Sequence, residues 1–254
     1  MVSVVEIFYS LQGEGLDSGE PSIFVRLGGC NMICEGYGCQ TLSPKDGSLL
    51  TGCDTIRAVA SAHYKDQWHR YDGAGLCVLL DDFVKSLNLS FRPAIVLTGG
   101  EPMLWFGNPD FLTFAHHLQR FGYKVSVETN GTIPLQDHWD PVYRTFFYVV
   151  AVKLAHTKEP EEKRINPQAI EKFLATPRPF FKFVVSQKSL DDDRNQIRKL
   201  SQDFPSLPVV CMPMGNTMEA LNTHAKEVFE VCKEEGWRYS DRLQIRIYNS
   251  REGV

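Results

Sequence analysis

No run of apolar residues in this sequence approaches the roughly 20 that a helix needs to cross a bilayer, and the opening residues, Met1 to Tyr9, carry Glu6 and no basic stretch of the secretory type. A block of Lys and Arg that could track a phosphate backbone is also missing: 27 basic residues face 31 acidic ones, for a formal net charge of -4. Neither a membrane nor a nucleic acid is therefore expected as a direct partner, and a cytoplasmic protein is. Full disulfide pairing is excluded by an odd cysteine count of 7. Repeats, low-complexity tracts and linkers are absent too. What remains is a chain of 254 residues, 43% hydrophobic and 23% charged, able to bury one substantial core. One domain over 1–254 is expected.

Residues 4–9 and 22–27 are short β-favouring runs joined by the turn Gln12-Gly13-Glu14-Gly15, and they predict an opening strand pair. The stretch 28–55 follows, rich in glycine and cysteine with little apolar periodicity, so something other than a core must order it. Beyond it strands and helices take turns. Helices are expected over 79–89, 111–121, 167–175, 190–200 and 218–235, and strands over 94–97, 124–128, 147–152, 180–185, 209–212 and 243–247. Such alternation predicts an α/β fold with a parallel sheet and crossover helices. The polar stretch 158–164 reads as a solvated loop. In a curled parallel sheet, ligands collect at the carboxyl ends of strands. Thr98-Gly99-Gly100-Glu101-Pro102, Glu128-Thr129-Asn130-Gly131, Lys153 and Met212-Pro213-Met214-Gly215 all fall there.

Four of the cysteines, Cys30, Cys34, Cys39 and Cys53, share the glycine-rich stretch. In a reducing compartment that crowding points to a metal. Three thiolates hold three irons of a [4Fe-4S] cluster and leave the fourth iron open, whereas a closed structural zinc site takes four protein ligands. Cys30 and Cys34 are close enough to serve one cluster from a tight loop. Spacing alone leaves the third ligand open between Cys39 and Cys53, and leaves a four-cysteine zinc site as the competing account. Cys77, Cys211 and Cys232 fit better as buried thiols.

Taken in order, Ser10-Leu11-Gln12-Gly13-Glu14-Gly15, Arg26-Leu27-Gly28-Gly29-Cys30-Asn31, Cys53-Asp54-Thr55, Thr98-Gly99-Gly100-Glu101-Pro102 and Glu128-Thr129-Asn130-Gly131 resemble the 7-carboxy-7-deazaguanine synthases of the radical S-adenosylmethionine superfamily. The resemblance implies an incomplete (β/α) barrel with a long cluster-binding loop, working as a homodimer. It assigns the cluster to Cys30, Cys34 and Cys53, because the family's third cysteine precedes Asp-Thr, and it makes Thr55 a magnesium ligand; without it Thr55 would be read as a helix cap. S-adenosylmethionine is expected against Gly100, Glu101, Ala151, Val152, Lys153, Met212, Pro213, Met214 and Gly215, although only the lysine survives of the family's Ser-Pro-Lys. The pterin substrate is expected against Leu11, Gln12, Gly13, Glu14, Arg26, Thr98 and the final Val254. Arg26 suits a substrate carboxylate, since its planar fork matches one in two hydrogen bonds. Arg246 stands where the family often carries a histidine.

The implied reaction is a magnesium-assisted radical ring contraction of 6-carboxy-5,6,7,8-tetrahydropterin to 7-carboxy-7-deazaguanine with loss of ammonia, in queuosine biosynthesis. Electrons would come from a flavodoxin or ferredoxin system. Two other accounts compete: a radical activase of a partner protein, and a zinc-stapled binding module without chemistry.

Overall fold

The computed structural model describes residues 1–251 and residue 253. The chain opens with β1 (Val2–Leu11) and β2 (Pro21–Leu27), paired antiparallel as the alternation predicts. A small hairpin, β3 (Cys39–Leu42) and β4 (Leu49–Gly52), comes next, then the short helices α1 (Ile56–Val59) and α2 (Ser61–Tyr64). Strand β5 (His69–Tyr71) returns to pair with the outer edge of β1.

From there α3 (Gly73–Leu87), β6 (Ala94–Gly99), α4 (Pro109–Arg120), β7 (Val125–Thr129) and β8 (Phe147–Val150) follow in turn. The rest is α5 (Glu161–Arg164), α6 (Pro167–Phe173), β9 (Phe180–Val185), α7 (Leu190–Asp203), β10 (Val209–Pro213), α8 (Met218–Glu235), β11 (Arg238–Tyr239) and α9 (Leu243–Tyr248). One nine-stranded sheet results, in the order β11-β10-β9-β8-β7-β6-β2-β1-β5. It is parallel from β2 to β11, with β1 antiparallel to both neighbours.

Local chemistry sets the helix starts. Asp72 accepts the Gly75 amide at 2.7 Å and Asn108 the Asp110 amide at 2.8 Å, while Asn166 and Thr217 cap α6 and α8. Proline follows the cap of α4 and of α6, where its missing N–H costs nothing. Helix α8 ends on Gly236 at φ 70, the left-handed residue that closes a helix.

Strand alternation divides the sheet into two faces. Ile95 and Leu97, Val125 and Val127, Phe181 and Phe183 point to one side and form the core with Phe111, Phe114, Phe173 and Ile197 of the helices. The other face carries Arg26, Thr98, Glu128 and Lys182, and it is concave. Strands β1 and β9 stand five places apart, about 24 Å on a flat sheet. Yet Glu14, in the turn just past β1, lies 3.0 Å from Lys182 of β9. Curvature closes that gap, assisted by the turn, which also bonds to the C-terminal segment through Leu243 N–H and Gly13 O at 3.0 Å.

Three expectations need correction. The strand expected over 243–247 is helix α9: Leu-Gln-Ile-Arg-Ile alternates as a strand would, but no partner edge receives it and its first amide is taken by Gly13. Residues 158–164 are mostly exposed, as expected, but they are not all loop: they include α5, a buried Arg164 that donates to Lys153 O at 3.0 Å, and a Glu159 side chain only 8% exposed. The stretch 28–55 contains the β3–β4 hairpin, whose polar and glycine residues hid its pairing.

Candidate active site

The concave face and the carboxyl ends of its strands enclose a cavity of about 450 Å³, within the usual range of small-molecule sites. Cys30, Cys34 and Cys53 line it, as do Cys39 and Thr55. Glycines bring the cysteine loop to the sheet. A Cβ on Gly100 would stand 1.9 Å from Gly29 O, and one on Gly99, at φ 127, 2.2 Å from Leu27 O. Only glycine allows the end of β6 to lie against this loop, where Glu101 N–H donates to Gly29 O at 2.7 Å.

Burial pushes the Cys30 thiol up to about 11 and the Cys34 thiol up to about 12, and in both the nearby Cys53 adds to the rise while Lys153 opposes it. Cys39 is raised by burial and then by Asp54 and Cys53. All four thiols line the one cavity, and burial raises each of them. A bound cation inverts such upward shifts, because thiolates are the form that ligates. Among the described residues no three or more His, Cys, Asp or Glu side chains are grouped to hold a single metal ion. Thr55 occupies the N-cap position of α1 without making a cap bond, and its hydroxyl lies 3.3 Å from Cys53 Sγ instead.

A buried charge network forms the opposite wall. Lys182 donates to Glu14 at 3.0 Å and Glu128 at 2.9 Å, and Thr98 donates to Glu128 at 2.8 Å. Arg242 donates to Glu14 at 2.9 Å, to Asp54 at 2.6 Å and to Gly215 O. Burial alone would raise the Glu14 carboxyl, but Lys182 and Arg242 outweigh it and hold the group well below the ordinary carboxylate range. Lys182 is likewise pushed down by burial and raised more strongly by Glu128 and Glu14.

No family model matches the chain. Among curated proteins, the 7-carboxy-7-deazaguanine synthase of Pyrobaculum aerophilum is 29% identical over 255 residues, covering 99% of this chain and 97% of the relative. That of Burkholderia multivorans is 30% identical over 214 residues, covering 80% of this chain and 89% of the relative. The chain belongs to the 7-carboxy-7-deazaguanine synthase family. Its fold matches the crystal structure of QueE from Escherichia coli with a TM-score of 0.61 at 22% identity, over 94% of this chain and 93% of that one.

Most residues singled out by this family's motifs meet in the cavity. Leu11, Gln12, Gly13, Glu14, Arg26 and Thr98 line one part, and Gly100, Ala151, Val152 and Lys153 line another with Met212, Met214 and Gly215. Glu101 and Pro213 stay behind the wall. The Glu101 carboxylate is fully buried and accepts from Thr129 Oγ1, Asn130 N and Met103 N at 2.8, 2.7 and 3.0 Å. Val254 lies outside the described residues. Arg246 bonds to Asp241 and Asn222 away from the cavity, and Arg242, one helical turn earlier, reaches in.

Lys182, Arg242 and Glu159 belong to none of the motifs in the sequence. A lone lysine in the apolar run Phe180-Phe181-Lys182-Phe183-Val184-Val185 was a usable signal, because a strand buries a charge only against a partner. Nothing local marks Arg242 or Glu159.

Proposed function

We propose that this chain converts 6-carboxy-5,6,7,8-tetrahydropterin to 7-carboxy-7-deazaguanine with loss of ammonia, as a radical S-adenosylmethionine enzyme of queuosine biosynthesis. What carries the reading, in a member of this family, is that Cys30, Cys34 and Cys53 share one cavity with the Gln12-Gly13-Glu14 turn. The curled sheet is then an incomplete (β/α) barrel, residues 1–254 one radical S-adenosylmethionine domain, and the working unit a cytoplasmic homodimer served by a flavodoxin or ferredoxin. Cys30, Cys34 and Cys53 would hold a [4Fe-4S] cluster, which would supply the electron for cleaving S-adenosylmethionine.

The protein's own part is placement. Gly100, Ala151, Val152 and Lys153, with Met212 to Gly215, form the wall for S-adenosylmethionine, and the Lys153 cation lies near the three thiols. Glu101 shapes this wall through Thr129 and Asn130 rather than by touch, since it is fully buried behind the cavity lining. Arg26 spends its Nε on Glu6 at 2.6 Å and keeps the two Nη groups for the substrate carboxylate. Glu14 and Glu128, fixed by Lys182, offer acceptors to the pterin N–H groups, with Gln12 and Thr98 beside them. Thr55, which lines the cavity beside Asp54, is the residue that would hold magnesium, an ion that would neutralise charge on the bound substrate.

The test is anaerobic reconstitution with iron and sulfide, then turnover with the pterin, S-adenosylmethionine, reductant and magnesium. A brown protein holding iron and sulfide and forming 7-carboxy-7-deazaguanine is expected. A colourless zinc protein, or full-rate pterin consumption with any one of the three additions left out, overturns the reading.

A further inference from the structure

Cys34 is one of the few non-glycine residues in the left-handed region, at φ 57 and ψ 50. For an L-residue that conformation costs about 1–2 kcal/mol, so a neighbour must hold it. The neighbour is Glu159, in the turn between β8 and α5. One carboxylate oxygen accepts the Ile33 amide at 2.6 Å and the Cys34 amide at 2.9 Å, and the other accepts Lys163 Nζ at 2.7 Å. Two successive amides converging on one anion form a nest, and charged acceptors make the stronger hydrogen bonds. Gly36 lets the same loop dock on this turn, since a Cβ there would stand 1.8 Å from His156 O.

We infer that Glu159 is a positioning residue for the iron-sulfur site, clamping Cys34 with its thiol toward the cavity and withholding the Ile33 and Cys34 amides from sulfur. This rests on the cluster assignment above. Amides that bond to cluster sulfur favour the reduced state, and a nearby anion disfavours it. Glu159 does both jobs in one direction: it occupies the amides and adds negative charge. The clamp therefore makes the centre a stronger reductant once reduced, which suits the cleavage of a sulfonium.

Two measurements judge it. In protein without iron, Glu159→Ala should speed hydrogen exchange at the Ile33 and Cys34 amides roughly tenfold, the loss of one charge-assisted bond, with exchange in β6 and β9 unchanged. In reconstituted protein, the near-isosteric Glu159→Gln should keep iron and sulfide content while raising the ratio of reduced to oxidised cluster roughly tenfold at one poised potential, read by electron paramagnetic resonance. Unchanged exchange in the first variant, or an unchanged ratio in the second, overturns the inference. A wild-type protein that takes up no iron and sulfide sinks the cluster assignment instead, and the exchange measurement then still decides whether the clamp exists.

Discussion

Lys182 Nζ stands 3.0 Å from Glu14 Oε2, joining the middle of β9 to the turn after β1 across the mouth of the curled sheet. Lys182 is buried and Glu14 nearly so, their side chains 7% and 11% exposed, and Glu128 completes the group on the sheet itself. The lysine thus holds two carboxylates where a ligand would meet them.

Removing the lysine leaves Glu128 without its cation and Glu14 with Arg242 alone. Lys182→Met should cost about 3–5 kcal/mol in urea unfolding at neutral pH, the usual loss when one side of a buried ion pair goes. Adding Glu128→Gln should recover part of it, since the two residues are in contact. A loss below about 1 kcal/mol would show that the network is solvated and does not shape the site.

The same network sets a pH range. Glu14 and Asp54 are held below the ordinary carboxylate values of 4.5 and 3.8, by Lys182 and Arg242 and by Arg242 respectively, against a burial that raises them. Their contribution is therefore complete above about pH 4.5 and is lost as pH falls through the lower folded values. Lys182 is raised above 10.5, so its contribution is complete below about pH 10.5 and lost only as pH climbs past the folded value. The stability gap between wild type and Glu14→Gln should stay constant from about pH 5 to 10 and shrink on acidification. A gap that widens toward acid would reverse the assignment.

Cys39 and Cys53 separate on the third cluster ligand. Cys53→Ala should lose most reconstituted iron and sulfide along with turnover, whereas Cys39→Ala, on the β3–β4 hairpin, should retain them. Metal analysis of the two variants gives the answer, and the opposite pattern would move the ligand to the hairpin.

Gly100 tests the approach of β6 to the cysteine loop. In Gly100→Ala the new methyl meets Gly29 O at 1.9 Å, so backbone must shift, at about 1–3 kcal/mol or more. Thermal unfolding should fall and iron uptake with it. Gly107→Ala, where the nearest atom is Trp139 Nε1 at 3.7 Å, serves as the neutral control.

The alternation of strands and helices is legible along the chain, because burial on one face writes its period into the residues: β9 over Phe180–Val185 and α8 over Met218–Glu235 are read where they stand. The ordered motifs whose residues line the cavity are legible there too, since each belongs to a strand end and is local. Tertiary structure alone decided the rest. Whether 243–247 became strand or helix depended on a distant partner for its first amide, Gly13 O. Arg242 reaches Glu14 and Asp54, and Glu159 reaches Ile33 and Cys34, across separations that no periodicity records. The reason is physical: a buried charge is placed by the partner that compensates it, and that partner is chosen by the curl of the sheet rather than by neighbours in the chain.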